Sequence, residues 1–294
     1  FDKGTGELLL KYQNGKICQK STFKNDLKQG LSTSYFGNGK ESIVQTYIDG
    51  KLQGESKLYY PSGKIDWINN FENGNRNGKQ THYDEDGNIE AENNYLYGKL
   101  SGKAITYYPN KQIKYSNNYK GGELDGNRQI YDENGELAIE RYYHNGYILS
   151  YTYYDKTGKL VPSIPVKNET GTVKAFYKNG SPSIEYTLTK GVLTGKRTEY
   201  YFNGKVKTDE DYEFGNQVGL SKAYYSSGKI QAEENYANDD KNGKCTYYYE
   251  NGKVKSEGYY LNGEQHGTFN FYDNTGKLLK SYVYYNGYLI DEKK

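Results

Sequence analysis

Residues 195–219 read GKRTEYYFNGKVKTDEDYEFGNQVG, a stretch that begins on Gly195 and ends on Gly219. The spacing is not confined to it. Gly171, Gly195, Gly219, Gly243 and Gly267 keep the same step, and Gly30, Gly54, Gly78, Gly102 and Gly126 form an earlier series with the same period. Ser150 and Asp291 hold the slots that close the two series. A fixed period of this length marks stacked supersecondary units, none of which can bury a hydrophobic face alone.

With each of these glycines as position 0, position 9 is glycine in ten of eleven regular units: Gly15, Gly39, Gly63, Gly87, Gly135, Gly180, Gly204, Gly228, Gly252 and Gly276, with Lys111 in the eleventh. Position 20 is glycine in nine, from Gly50 to Gly287. Position 5 is aromatic in ten: Tyr35, Tyr59, Tyr83, Tyr107, Tyr131, Phe176, Tyr200, Tyr224, Tyr248 and Tyr272. Position 17 is likewise aromatic in ten, among them Tyr47, Tyr212 and Tyr260, and position 11 is aliphatic in nine. No apolar stripe of period 3.6 runs through the chain, so helices are not expected. Each unit reads as two short strands, about positions 1–6 and 11–17. Asn38-Gly39, Asn179-Gly180, Asn203-Gly204 and their equivalents predict a two-residue type I′ hairpin between them, because that turn needs φ > 0 at both central residues. A longer loop fills positions 18–24.

Adjacent residues on a strand face opposite ways. Position 5 hardly varies in type. Position 6 is Tyr12, Phe36, Tyr60, Tyr108, Tyr177, Tyr201, Tyr225 and Tyr249 in eight units but Asp84, Asp132 and Asp273 in the others. The comparison predicts a packed face carrying positions 5, 11 and 17, with the position-5 rings as a structural ladder. The position-6 row then lies on a wet face, free to bind a partner.

Composition narrows the function classes. Leu, Ile, Val and Phe supply 53 of 294 residues, under a fifth, a fraction that alone suggests disorder. A net charge of +2 and 16% aromatic residues, 37 of them Tyr, argue against that. The chain uses Tyr and Gly where others use Leu and Val, so a conventional two-layer core is not expected. The 39 basic residues balance 37 acidic ones without a clustered stripe, which disfavours nucleic acid. The longest aliphatic run, Leu8-Leu9-Leu10, is far too short to span a membrane.

No cofactor or catalytic centre is expected. Cys18 and Cys245 are the only thiols, too few for a disulfide framework or a multi-cysteine zinc site. His82, His144 and His266 occupy different positions of separate units and read as solvated strand or loop residues rather than a metal cluster. No Gly-Lys pair is followed by Ser or Thr, so there is no Walker A loop despite the many Gly-Lys turns. Asp84-Glu85-Asp86-Gly87 lacks the ligand spacing of a calcium loop. Asn168-Glu169-Thr170 is an isolated glycosylation sequon. Acidic residues recur at position 14, as Glu92, Asp209, Glu233 and Glu257, where Lys on neighbouring strands would make cross-strand pairs of about 0.2–1 kcal/mol each.

Tyr200-Tyr201-Phe202-Asn203-Gly204-Lys205-Val206, continuing through Tyr212 to Gly215 and Gly219, resembles the bacterial variant of the MORN repeat. The resemblance covers the chain outside 151–170. It implies antiparallel hairpins in an elongated, twisted, meandering sheet, and a non-enzymatic scaffold that binds proteins or lipids; many bacterial variants carry antitoxin labels. The expected fold is all-β, a single sheet of about 12 antiparallel hairpins on the 24-residue period. It divides into a six-unit array at 1–150, an irregular proline-containing unit or kink at 151–170, and a five-unit array at 171–294. The break follows from the shortened step between Ser150 and Gly171 and from Pro162 and Pro165, which remove ladder donors.

The expected function is partner binding through the position-6 row, the partner being a host, envelope or toxin protein. Phe1 reads as a processed end, which favours a secreted or cell-surface protein. The alternative is a cytoplasmic antitoxin or immunity protein. A glycan is the third candidate ligand: Tyr-Tyr-x-Asn-Gly is similar to carbohydrate-binding repeats, but those lean on Trp, and Trp67 is the only one here.

Overall fold

The computed structural model describes residues 4–166 and 170–293; Phe1, Asn168 and Glu169 lie outside them. The described residues form 29 strands and no helix, in antiparallel sheets of 18 and 11 strands. Consecutive strands pair with one another, so each sheet is a meander.

The expected single sheet is therefore two. The first ladder ends where Ser150 and Tyr151 pair with Pro165 and Ile164, the proline bringing no N–H. The second sheet opens at Gly171.

One unit shows how the turns form. Strands Val192–Tyr200 and Val206–Glu213 pair from Gly195↔Tyr212 to Glu199↔Thr208, then slip a residue to Tyr200↔Val206. Between them Gly204 N donates to Tyr201 O and Tyr201 N to Lys205 O, both at 2.8 Å. Gly204 has φ +81°, whereas Asn203 does not enter the left-handed region. This is a type I turn closed by a left-handed glycine bulge, not the expected type I′ turn. The reason lies in Asn203. Its Oδ1 accepts from Lys205 N at 3.0 Å, which holds it on the right-handed side. Lys111 replaces the glycine in one unit and takes the same conformation, φ +70°.

The type I′ turn sits in the other loop. Phe214 and Gly215 have φ +49° and +88°, and Glu213 pairs directly with Asn216. Asp49-Gly50, Asn73-Gly74, Tyr97-Gly98, Asn145-Gly146, Asn262-Gly263 and Asn286-Gly287 repeat the pattern.

The chain divides into two compact units. One holds residues 1–135 and 142–147, the other 136–141 and 148–294. Residues 151–166 fall within the second of these. They fold back by the turn Asp155–Lys159, with Tyr154 bridging both Leu160 and Phe176.

The units bury different midlines. In the first, positions 2 and 15 form a polar ladder: Ser21 to Ser32 at 2.7 Å, Gln45 to Ser56 at 3.1 Å, Asn69 to Gln80 at 2.5 Å and Gln80 to Asn93 at 3.1 Å. The second holds an apolar cluster of Ala138, Ile139, Val173, Ala175, Tyr177, Ile184, Tyr186 and Leu188, all buried. Ser183 Oγ donates to Ala138 O at 2.6 Å inside it. Further along the second unit the same midline becomes ionic, with Arg197 between Glu199 and Glu210 and Lys241 bonded to Glu234.

Candidate interaction surface

The position-6 tyrosines do not stand free. Each is the first residue of a type I turn, past the strand end, so alternation along a strand does not place it on a face. Its hydroxyl reaches the position-5 carbonyl of the next unit: Tyr12 to Tyr35, Tyr60 to Tyr83, Tyr108 to Tyr131, Tyr177 to Tyr200, Tyr201 to Tyr224, Tyr225 to Tyr248 and Tyr249 to Tyr272, at 2.6–2.9 Å. Phe36 has no hydroxyl to join the series. Tyr177 is only 2% exposed and the others, apart from Tyr12, are half-buried. The wet-face assignment is corrected: this row fastens one unit to the next.

The neighbouring residues of the turn do the same. Asn38, Asn110, Asn179, Asn203 and Asn251 each donate Nδ2 to a carbonyl of the following turn. Lys16, Lys40, Lys205 and Lys253 reach the same turn with Nζ. The turn glycines themselves are conformational, each at positive φ.

Positions 5 and 17 lie on opposite faces, which corrects the single packed face. The bulge inserts position 12, Lys207 in this unit, into the second strand, and counting by twos from position 11 to position 17 through it fails. Tyr107, Tyr248 and Tyr272 bond the position-14 carboxylates Glu92, Glu233 and Glu257 of the preceding unit. The expected lysine pairs form here too, Lys79–Glu92 at 2.5 Å, Lys196–Asp209 at 2.9 Å and Lys244–Glu257 at 3.0 Å. On the other face Tyr47, Tyr212 and Tyr236 bond Gln45, Glu210 and Glu234. Burial, reinforced by the adjacent carboxylate, pushes the Tyr236 hydroxyl up to about 12. Burial also opposes ionisation of Glu234, but hydrogen bonds from Lys241, Tyr247 and Tyr236 outweigh it and hold the carboxyl below its usual range.

The histidines occupy separate places. His82 is half-buried and not solvated: it stacks on Trp67 with ring centroids 4.0 Å apart, its nitrogens 3.2 Å from Asp66 and 3.1 Å from Glu90. His144 lies 3.0 Å from Asp125. Among the described residues no group of three or more His, Cys, Asp or Glu is arranged to hold a metal. Both cysteines are free. Among the described residues no helix is long and apolar enough to cross a membrane.

The surface that sequence reading missed is the rim of type I′ turns. Tyr97 is 75% exposed and Phe214 91% exposed, both at the first turn position, where Asp49, Asn73, Asn145 and Asn262 stand in other units. A bulky side chain pays most for the left-handed conformation. In the first unit Leu27, Ile48, Leu96 and Tyr147 flank the same turns, exposed; in the second, Val192, Leu261, Tyr285 and Tyr288 do. The rim of asparagine-glycine turns exposes only Tyr12 among large apolar residues at positions 6–10. The missed signal was available at positions 18–21, where Phe and Tyr interrupt a run of Asn and Asp.

A family model described as MORN repeat variant matches residues 5–25, 52–73, 76–97, 100–120, 124–145, 193–213, 217–238 and 241–262, more than half of the chain. The chain belongs to the MORN repeat variant family. No curated protein matches this MORN-repeat chain. Solved structures with some likeness include the Photorhabdus luminescens Tc holotoxin pore, at 12% identity and a TM-score of 0.19, covering 94% of this chain and 15% of that one. A crystal structure of TcdB2-TccC3-Cdc42 is similar at 13% identity and the same TM-score of 0.19, covering 96% and 17%. The MORN-repeat chain spans less than a fifth of the length of either, and likeness this weak carries no argument.

Proposed function

We propose that this MORN-repeat protein is a non-enzymatic scaffold that holds a partner protein, and that contact is made at the type I′ turns within a unit rather than through the position-6 row. The observation that carries this reading is the exposure of Phe214 and Tyr97 at turn positions whose backbone favours Asn. A residue kept where it is locally unfavourable, with its ring in solvent, gains from what it touches outside the chain. Aromatic residues are also the usual energetic anchors of protein interfaces. Several titratable side chains, by contrast, pair across neighbouring strands, as Lys79 does with Glu92 and Lys244 with Glu257, which supports a structural role for them.

The test is a pull-down with the intact chain as bait from lysate of the source organism. It is repeated with Tyr97→Asn and Phe214→Asn together, and with Tyr107→Phe and Tyr248→Phe together. The reading expects a stoichiometric protein retained by the parent and the second pair but lost from the first. Retention by the rim variant moves the contact to a sheet face, and retention of nothing removes the scaffold reading.

A further inference from the structure

The rim of the second unit carries more than apolar anchors. Its turns are joined in order: Gly215 N donates to Leu193 O at 3.0 Å, Gly263 N to Lys241 O at 2.9 Å and Gly287 N to Gln265 O at 2.9 Å. They therefore form one continuous edge, on which Phe214, Leu261 and Tyr288 alternate with the exposed carboxylates Glu213, Asp240 and Glu264. No ion pair neutralises these three acids among the described residues. Lys241, the cation nearest in sequence to Asp240, is turned inward onto Glu234 at 2.5 Å. Lys190 is an exposed cation on the same set of turns.

We infer that this edge docks a cationic protein segment bearing aliphatic or aromatic side chains, its bases meeting Glu213, Asp240 and Glu264 and its apolar residues packing on Phe214, Leu261 and Tyr288. This rests on the scaffold reading above and adds the chemistry of the partner. Charge complementarity decides the occupant. An anionic lipid surface is repelled by the three carboxylates, and an acidic protein segment is repelled likewise. The apolar anchors supply affinity and the acids supply selection and rate of encounter.

The experiment uses fluorescence anisotropy of the intact chain with three synthetic peptides of one length: lysines with leucines, glutamates with the same leucines, and the same lysines with serines. The first peptide is expected to bind about ten-fold tighter than either control, and to weaken as salt rises. Phe214→Asn and Glu213→Gln each reduce that binding several-fold; Asn occupies this turn position in other units, so folding is retained. Equal binding of the acidic peptide, or an unchanged affinity in Phe214→Asn, overturns the inference. So does sedimentation of the chain with phosphatidylcholine–phosphatidylserine vesicles, or pairing of copies of the chain through Phe214. If the pull-down retains a partner while the cationic peptide does not bind, this inference alone falls; if neither binds, the scaffold reading falls with it.

Discussion

Replacing Phe214 with Asn should make the protein more stable. Phe214 sits at φ +49°. That conformation costs an ordinary L-residue roughly 1–2 kcal/mol, and Asn tolerates it better because its short amide bonds locally. The ring gives little back, since it is 91% exposed. A tenth of a phenylalanine surface at about 25 cal/mol per Å² is worth less than about 0.5 kcal/mol. The net expectation for Phe214→Asn is a gain of about 1 kcal/mol. The mirror variant is Asn262→Phe, at the same turn position of the same unit with φ +49°, and it should lose about as much. Urea denaturation of the intact chain, followed by far-ultraviolet circular dichroism, reads both as opposite shifts of the same transition. A lower midpoint for Phe214→Asn, or no change for Asn262→Phe, would refute the claim that this ring is held at a local cost. A gain in stability together with a loss of peptide binding is the trade expected of a residue retained for contact.

Other consequences follow from the turn-to-turn bonds. Tyr201→Phe deletes only the hydroxyl that Tyr224 O receives at 2.6 Å and should cost about 1 kcal/mol by denaturant titration, where a free surface tyrosine would cost nothing. Gly180→Ala should cost well over the roughly 1 kcal/mol of a left-handed alanine, because its methyl would stand 2.5 Å from Lys156 O; Gly204→Ala, whose nearest neighbour is Ser181 Cβ at 3.6 Å, should cost only that conformational amount. Ile139→Ala, at 0% exposure in the apolar cluster, should lose about 2–4 kcal/mol and mark the second unit's transition. Tyrosine absorbance titrated with base should show a late fraction, since Tyr60, Tyr212 and Tyr236 are pushed up to about 12 by burial and nearby carboxylates. Their folded values lie above the unfolded value near 10, so the stability they contribute is intact below pH 10 and is lost as pH rises towards 12. Glu234 runs the other way: its lowered carboxyl stabilises above the ordinary glutamate range and stops doing so as pH falls through it, so Glu234→Gln should flatten the acid limb.

The period, the paired strands and the conformation of Gly204 were all legible in the sequence, because repetition and backbone sterics are local. The turn types were exchanged because the dipeptide alone does not say where Asn203 sends its side chain. The amide binds its own turn through Oδ1 and Ser226 O of the next through Nδ2, which keeps its backbone right-handed. The tyrosine row was misplaced for a related reason. Tyr201 looks like a strand residue, but it opens the turn, and its acceptor is 23 residues away. The apolar cluster escaped notice because Ala138 and Ile139 are ordinary in composition and become a core only through residues 173–188. The exposed rim needed solvent accessibility as well as sequence.

The tyrosine bonds that fasten successive turns, from Tyr177 to Tyr200 and from Tyr201 to Tyr224 among them, span 23 residues along the chain. A ribosome adding about 5–20 residues per second completes one such unit every few seconds, and each finds its docking site already built by the one before. Synthesis and folding can then proceed in step, with nothing held open for a distant partner. The force exerted on a nascent chain should accordingly pulse once per repeat. The Ser183 hydroxyl behaves differently, since its acceptor on Ala138 was made 45 residues earlier. There the growing chain has to wait.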